Sequence, residues 1–278
     1  MICPNCNSKI DNRNTTCPLC GAELSGAVRG GASGGGTRNF AAQTAGNTGL
    51  LFGAAARAAR INTPVSEDEQ ISVRAYNGVL LGVLLWGLLV NVVLCSTVHG
   101  LYNHINPIVF AIGYAVCALA GIFISRRSSN PWISFLGYNL IVVPFGLMLS
   151  TVIEAYGGIS QSYVADAFLY TLLIAVGISG AAILFPALFE KLGGMLMGVL
   201  IGLIVCEAVL LILGRDQSIT DWIAAGVFSI YIGYDVHRSQ QFPKTLDNAV
   251  DSALDIYLDV ANLFIRILSL LARSRRRD

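Results

Sequence analysis

Two groups of residues in this 278-residue chain have types and spacings that do chemistry. The first is Cys3, Cys6, Cys17 and Cys20, which form two C-x-x-C knuckles within the first 20 residues. Such a pair places four thiolates around one tetrahedral Zn²⁺. A segment so short has almost no core, so the metal would have to fold it; a redox pair or adventitious iron are the plainer alternatives. Thiolates at this density need a reducing compartment. The second group is acidic. Asp235 is followed by Asp251, Asp255 and Asp259 at spacings of four, which puts those three on one face of a helix. Acids within apolar helices are costly and mark ion paths, proton relays or buried partners.

The elements that position these acids follow from composition. Hydrophobic residues make up 54% of the chain and charged ones 13%, about half the share of a soluble domain. Mean hydropathy is +0.64. A soluble globular surface, a disordered chain and a secreted disulfide scaffold are excluded, and the chain reads as an all-α membrane protein. No Asp, Glu, Lys or Arg occurs from Tyr76 to Ser125, enough for two spans at about 20 residues each. Seven apolar segments are expected, at about 76–98, 107–125, 132–152, 168–188, 194–213, 219–238 and 249–271. Pro144 should kink the third. The repeats Gly78/Gly82 and Gly194/Gly198/Gly202 read as small faces for close helix packing. The expected layout is a zinc ribbon at 1–24, a Gly-rich linker at 25–65, a seven-helix transmembrane domain at 66–272 and a basic tail at 273–278. A capping box at Ser66 and Glu69 marks the helix start.

Orientation follows from the short loops. Arg126, Arg127, Lys191, Arg238 and Lys244 fall in loops two, four and six, against Arg215 alone in the others. No apolar signal segment opens the chain, so the N-terminus is expected in the cytoplasm. Arg273, Arg275, Arg276 and Arg277 break the pattern. Either the last segment is re-entrant, or the bundle already formed dictates its insertion.

Asp259, ten residues into the seventh segment, is expected near the bilayer middle, which makes that helix a central one shielded by the others. Asp251 and Asp255 read most simply as a solvated first turn that complements the helix dipole. Cys95, Cys117 and Cys206 read as packing residues.

The stretch Tyr231–Arg238, YIGYDVHR, and the stretch Ala253–Phe264, ALDIYLDVANLF, resemble the signature of the transmembrane Bax inhibitor motif family. Leu192–Met197, LGGMLM, is similar to bacterial members. The resemblance covers about residues 70–271 and leaves out the ribbon. It implies a seven-helix bundle with the last helix at its centre, and a pH-sensitive calcium leak channel gated by a di-aspartyl pair beside an arginine at the end of the second helix. Carried over by motif, the pair is Asp235 and Asp259, and the arginine is Arg126, with Arg127 as the next choice. Some relatives carry an acid within the second helix, and this chain has none there; Glu207 is the nearest substitute in kind. Asp251, Asp255 and Glu207 are then candidates for the ion path.

The gating chemistry stands apart from any family. Two carboxylates close together in a low dielectric do not both ionise cheaply, so they share a proton and titrate as a pair. An arginine bound to them holds the second helix to the centre, and a proton weakens that hold. Calcium, a hard cation, suits oxygen ligands, but no EF-hand loop is present, so its binding should be weak.

Other classes fit less well. An intramembrane aspartyl protease would need Gly-x-Gly-Asp around Asp259, where Tyr257, Leu258 and Asp259 stand. His99, His104 and His237 form no hydrolytic arrangement, so no enzyme is expected. A proton-coupled transporter would show an inverted repeat, and none is visible. The main alternative is a non-transporting regulator that binds other membrane proteins, such as a protease or secretion component. The expected setting is a bacterial plasma membrane. Lipid and calcium are the expected partners, with a protein for the ribbon. A surplus of four positive charges over the first 60 residues is weak support for nucleic acid.

Overall fold

A computed structural model of the chain describes residues 69–98, 107–128 and 130–275. The four cysteines of the ribbon, the linker, Ser66, His99, His104 and the residues after Arg275 lie outside the described residues. Among the described residues the elements are eight helices and no strand. They are α1 (Val73–Thr97), α2 (Pro107–Arg127), α3 (Pro131–Ala155), α4 (Ser162–Leu184), the short α5 (Pro186–Glu190), α6 (Gly193–Ile212), α7 (Ser218–Ser239) and α8 (Leu246–Arg275). Four of them, α1, α3, α4 and α6, are long and apolar enough to cross a membrane. Their outward faces carry large apolar side chains such as Leu85, Leu136, Leu173 and Ile204, each exposed. The polar groups are turned inward: Asp221, Asp235, Asp251 and Asp259 are all buried. This inversion of the soluble pattern fits a lipid surround.

The last helix is the core. α8 packs against α1, α3, α4 and α7, and its Leu254, Tyr257, Leu263 and Leu268 are almost fully buried. It is one continuous helix of 30 residues, about 45 Å long at 1.5 Å per residue. Arg273 and Arg275 lie within its last turn, so the helix runs on through the start of the expected tail and does not turn back.

Three details depart from the expectations. The fourth segment begins at Ser162 and ends at Leu184, because Asp166 is tolerated inside the helix and Pro186 opens a separate turn. A proline has no N–H to continue the ladder but suits a helix start. The first helix begins at Val73, where the hydroxyl of Ser72 accepts the N–H of Ala75 at 3.2 Å. The expected glycine faces are also not where helices meet: a Cβ built at Gly78, Gly82, Gly198 or Gly202 would touch nothing within 4 Å.

Close approach occurs instead between Gly121 on α2 and Gly137 on α3. A Cβ on Gly121 would stand 2.6 Å from the carbonyl oxygen of Gly137, and one on Gly137 would stand 2.7 Å from that of Gly121 and 2.9 Å from the amide nitrogen of Ser125. Only glycine lets two helix backbones touch in this way. The contact brings the end of α2 against the start of α3 and sets Ser125 and Arg126 beside α8.

Tyr76 closes one end of the bundle. Its fully buried hydroxyl lies 2.9 Å from the carbonyl oxygen of Ser239, to which it donates, and 2.9 Å from the hydroxyl of Ser252. The amine of Lys244 sits 4.4 Å from the centre of the Tyr76 ring and donates to the carbonyls of Ser239 and Gln240. Burial holds that amine below the usual lysine range. Tyr76→Phe keeps the ring but takes one of the two donors from the carbonyl of Ser239 and the partner from the hydroxyl of Ser252, and should cost about 1 kcal/mol of stability. Thermal unfolding in detergent is the check; an unchanged melting temperature would show that the Lys244 amine alone satisfies the carbonyl.

Candidate functional site

The acids of α8 are organised by α2 and α3. Asp247, Asp251, Asp255 and Asp259 recur every fourth residue, so they form a column about 18 Å long on one side of the helix. Each of the first three has a donor from a neighbouring helix. The Ser134 hydroxyl at the start of α3 donates to Asp247 at 2.5 Å, and the Ser125 hydroxyl near the end of α2 donates to Asp251. Arg126 binds Asp255 through its Nη2 at 2.6 Å, with side-chain exposures of 20% and 10%. Burial of this order spares the pair much of the screening that weakens surface ion pairs.

The reading of Asp251 and Asp255 as a solvated first turn is therefore wrong. α8 starts at Leu246, which leaves Asp247 as the acid of the first turn and places Asp251 inside the bundle. The arginine that the motif comparison sets beside the Asp235–Asp259 pair makes its 2.6 Å ion pair with Asp255, one turn before Asp259. Asp235 is buried on α7 and Asp259 is buried near the middle of α8, and these two helices pack along each other. Arg127 turns outward, its guanidinium 5.4 Å from the centre of the Phe123 ring. Among the described residues no three His, Cys, Asp or Glu side chains converge as a ready metal cage.

Beside the acid column lies an aromatic layer. Tyr257 of α8 meets Tyr138 and Phe145 of α3 edge-on, with ring centroids 5.6 and 5.9 Å away. Its hydroxyl accepts from the side-chain amide of Asn91 on α1 at 2.6 Å. The layer locks α8 to α1 and α3.

At the opposite end of α8 the charges are reversed. Arg266 binds Glu207 of α6 with two nitrogens, at 2.6 and 2.7 Å, and Asp221 of α7 at 2.8 Å. Arg273 reaches Asp216 at 3.0 Å and Asp221 at 3.2 Å, and the Ser269 hydroxyl donates to Asp221 at 3.1 Å. Glu207 thus stands in this second cluster, away from the acid column. The cluster also gives acidic partners to Arg273, one of the arginines that break the loop-charge pattern.

A family model described as inhibitor of apoptosis-promoting Bax1 matches residues 69–276. The chain belongs to that family. It is also 37% identical over 91 residues to an uncharacterised protein found in each of two Helicobacter pylori strains. That match covers 32% of this chain and spans 38% of the length of those relatives.

Within this Bax1-inhibitor-family chain, two features were hidden from sequence reading. Asp247 continues the four-residue spacing backwards and is missed because the last segment was begun two residues after it. Arg266 lies between apolar neighbours, and its partners stand 45 and 59 positions away along the chain. The seven-residue step from Asp259 to Arg266 on one helical face is the signal that could have revealed it.

Proposed function

We propose that the chain is a proton-gated calcium leak path across a membrane, closed by the bond between Arg126 and the acids of α8. The carrying observation is the 2.6 Å ion pair that ties the end of α2 to a buried acid column on the central helix. Adding protons to the column removes the charge that Arg126 holds, and α2 is released. The same acids, once uncovered, offer oxygen ligands that a hard cation prefers. All seven long helices would cross the bilayer, with the acid column toward the cytoplasm, and the membrane would be a bacterial plasma membrane with the N-terminus inside. Cys3, Cys6, Cys17 and Cys20 would hold a structural zinc, and that head would engage a protein partner.

The test is calcium flux into proteoliposomes across a range of pH. Flux is expected to rise on acidification in the wild type and to lose its pH dependence in Asp255→Asn, which removes the charge that Arg126 holds. Flux no greater than that of empty liposomes at any pH would remove the leak reading and leave a regulator that binds other membrane proteins.

A further inference from the structure

The cluster at the other end of α8 lies on the same helical face as the acid column. Asp255, Asn262, Arg266, Ser269 and Arg273 follow at steps of seven, four, three and four, the spacing of a single stripe. About 16 Å of helix separates Asp255 from Arg266, so the stripe carries an ionic contact at each end of the bundle.

We propose that Arg266 is the second closure of the leak path, its guanidinium occupying the position between Glu207 and Asp221 that a passing cation would take. This rests on the leak reading and names a further residue within it. One nitrogen of Arg266, Nη1, is shared by carboxylates from two different helices, at 2.6 and 2.8 Å. A cation on the central helix thereby fastens α6 and α7 to it. The two closures mirror each other: Arg126 is brought to an acid of α8 from outside, whereas Arg266 belongs to α8 and meets acids from outside. Asp221 does not depend on Arg266 alone, because Ser269 and Arg273 hold its other oxygen at 3.1 and 3.2 Å. When the guanidinium leaves, the acid stays in place. The cluster then holds Glu207, Asp216 and Asp221 against Arg273, a surplus of negative charge that draws cations in and repels anions.

The experiment compares calcium and chloride flux in proteoliposomes for wild type, Arg266→Gln and Arg266→Lys. Arg266→Gln should raise calcium flux at neutral pH about tenfold, as loss of one partly buried ion pair shifts the closed population. Chloride flux should stay at the wild-type level, and Arg266→Lys should restore closure. A packing defect would instead pass both ions and would not be rescued by lysine. If Arg266→Gln does not fold, the variant with Arg266→Met, Glu207→Gln and Asp221→Asn leaves none of the three charges stranded. It should also leak at neutral pH, with its preference for calcium reduced. Wild type that leaks on acidification beside folded variants that stay closed at neutral pH would overturn the role of Arg266. Wild type silent at every pH would overturn the leak reading itself.

Discussion

Asp255→Asn should open the path at neutral pH and flatten its response to acid. The asparagine has the shape of a protonated aspartate and no charge to hold Arg126, so the variant sits permanently in the state that acid produces. The wild-type pair joins α2 to α8 at 2.6 Å with both side chains largely buried. Its loss should shift the balance by about 2 kcal/mol, roughly thirtyfold in the ratio of closed to open molecules. Arg126→Gln should do the same from the other side, and the double variant should leak no more than either single one, because two residues acting through one bond are not additive. Calcium flux against pH for the three variants is the measurement. A pH curve identical to wild type in Asp255→Asn would reduce the pair to a structural contact.

Tyr257→Ala should be the most destabilising single substitution in the bundle. The side chain is fully buried, meets Tyr138 and Phe145 edge-on, and accepts a hydrogen bond from Asn91. Truncation leaves a large cavity and should cost about 3–5 kcal/mol. Tyr257→Phe separates the two contributions: it keeps the ring packing and loses only the partner of Asn91, about 1 kcal/mol. Unfolding of both variants in detergent gives the comparison. Equal losses would mean that the hydrogen bond, rather than the aromatic layer, secures the central helix.

Much of this was legible in the chain before folding. Long runs without charge located the helices, because lipid leaves the backbone few alternatives to a helix. Acids spaced by four announced a polar face, and the cost of burying them pointed to a central helix. What escaped reading has physical causes. The expected segment 168–188 starts after Asp166 and runs over Pro186, whereas a charge is tolerated near a helix end and a proline opens a separate turn. Gly78, Gly82, Gly198 and Gly202 had the spacing of a packing face, but spacing does not say which side a neighbour occupies. Gly121 and Gly137, on separate helices, had no pattern to find. Arg266 was overlooked for the same reason: its partners belong to other helices, and only the packing of α7 on α8 and of α6 on α7 brings them within reach.

The contact between Gly121 and Gly137 has a mechanical consequence. At this point the two backbones touch with no side chain between them, so the glycine pair acts as a fulcrum when α2 tilts against α3. Arg126 stands five residues beyond it, an arm of about 7.5 Å, while Pro107 stands fourteen residues before it, an arm of about 21 Å. A tilt of about 20° moves the short arm by roughly 2.6 Å, enough to part the ion pair, and the long arm by roughly 7 Å. A displacement of one bond length at the latch is thus magnified about threefold at the far end of the lever.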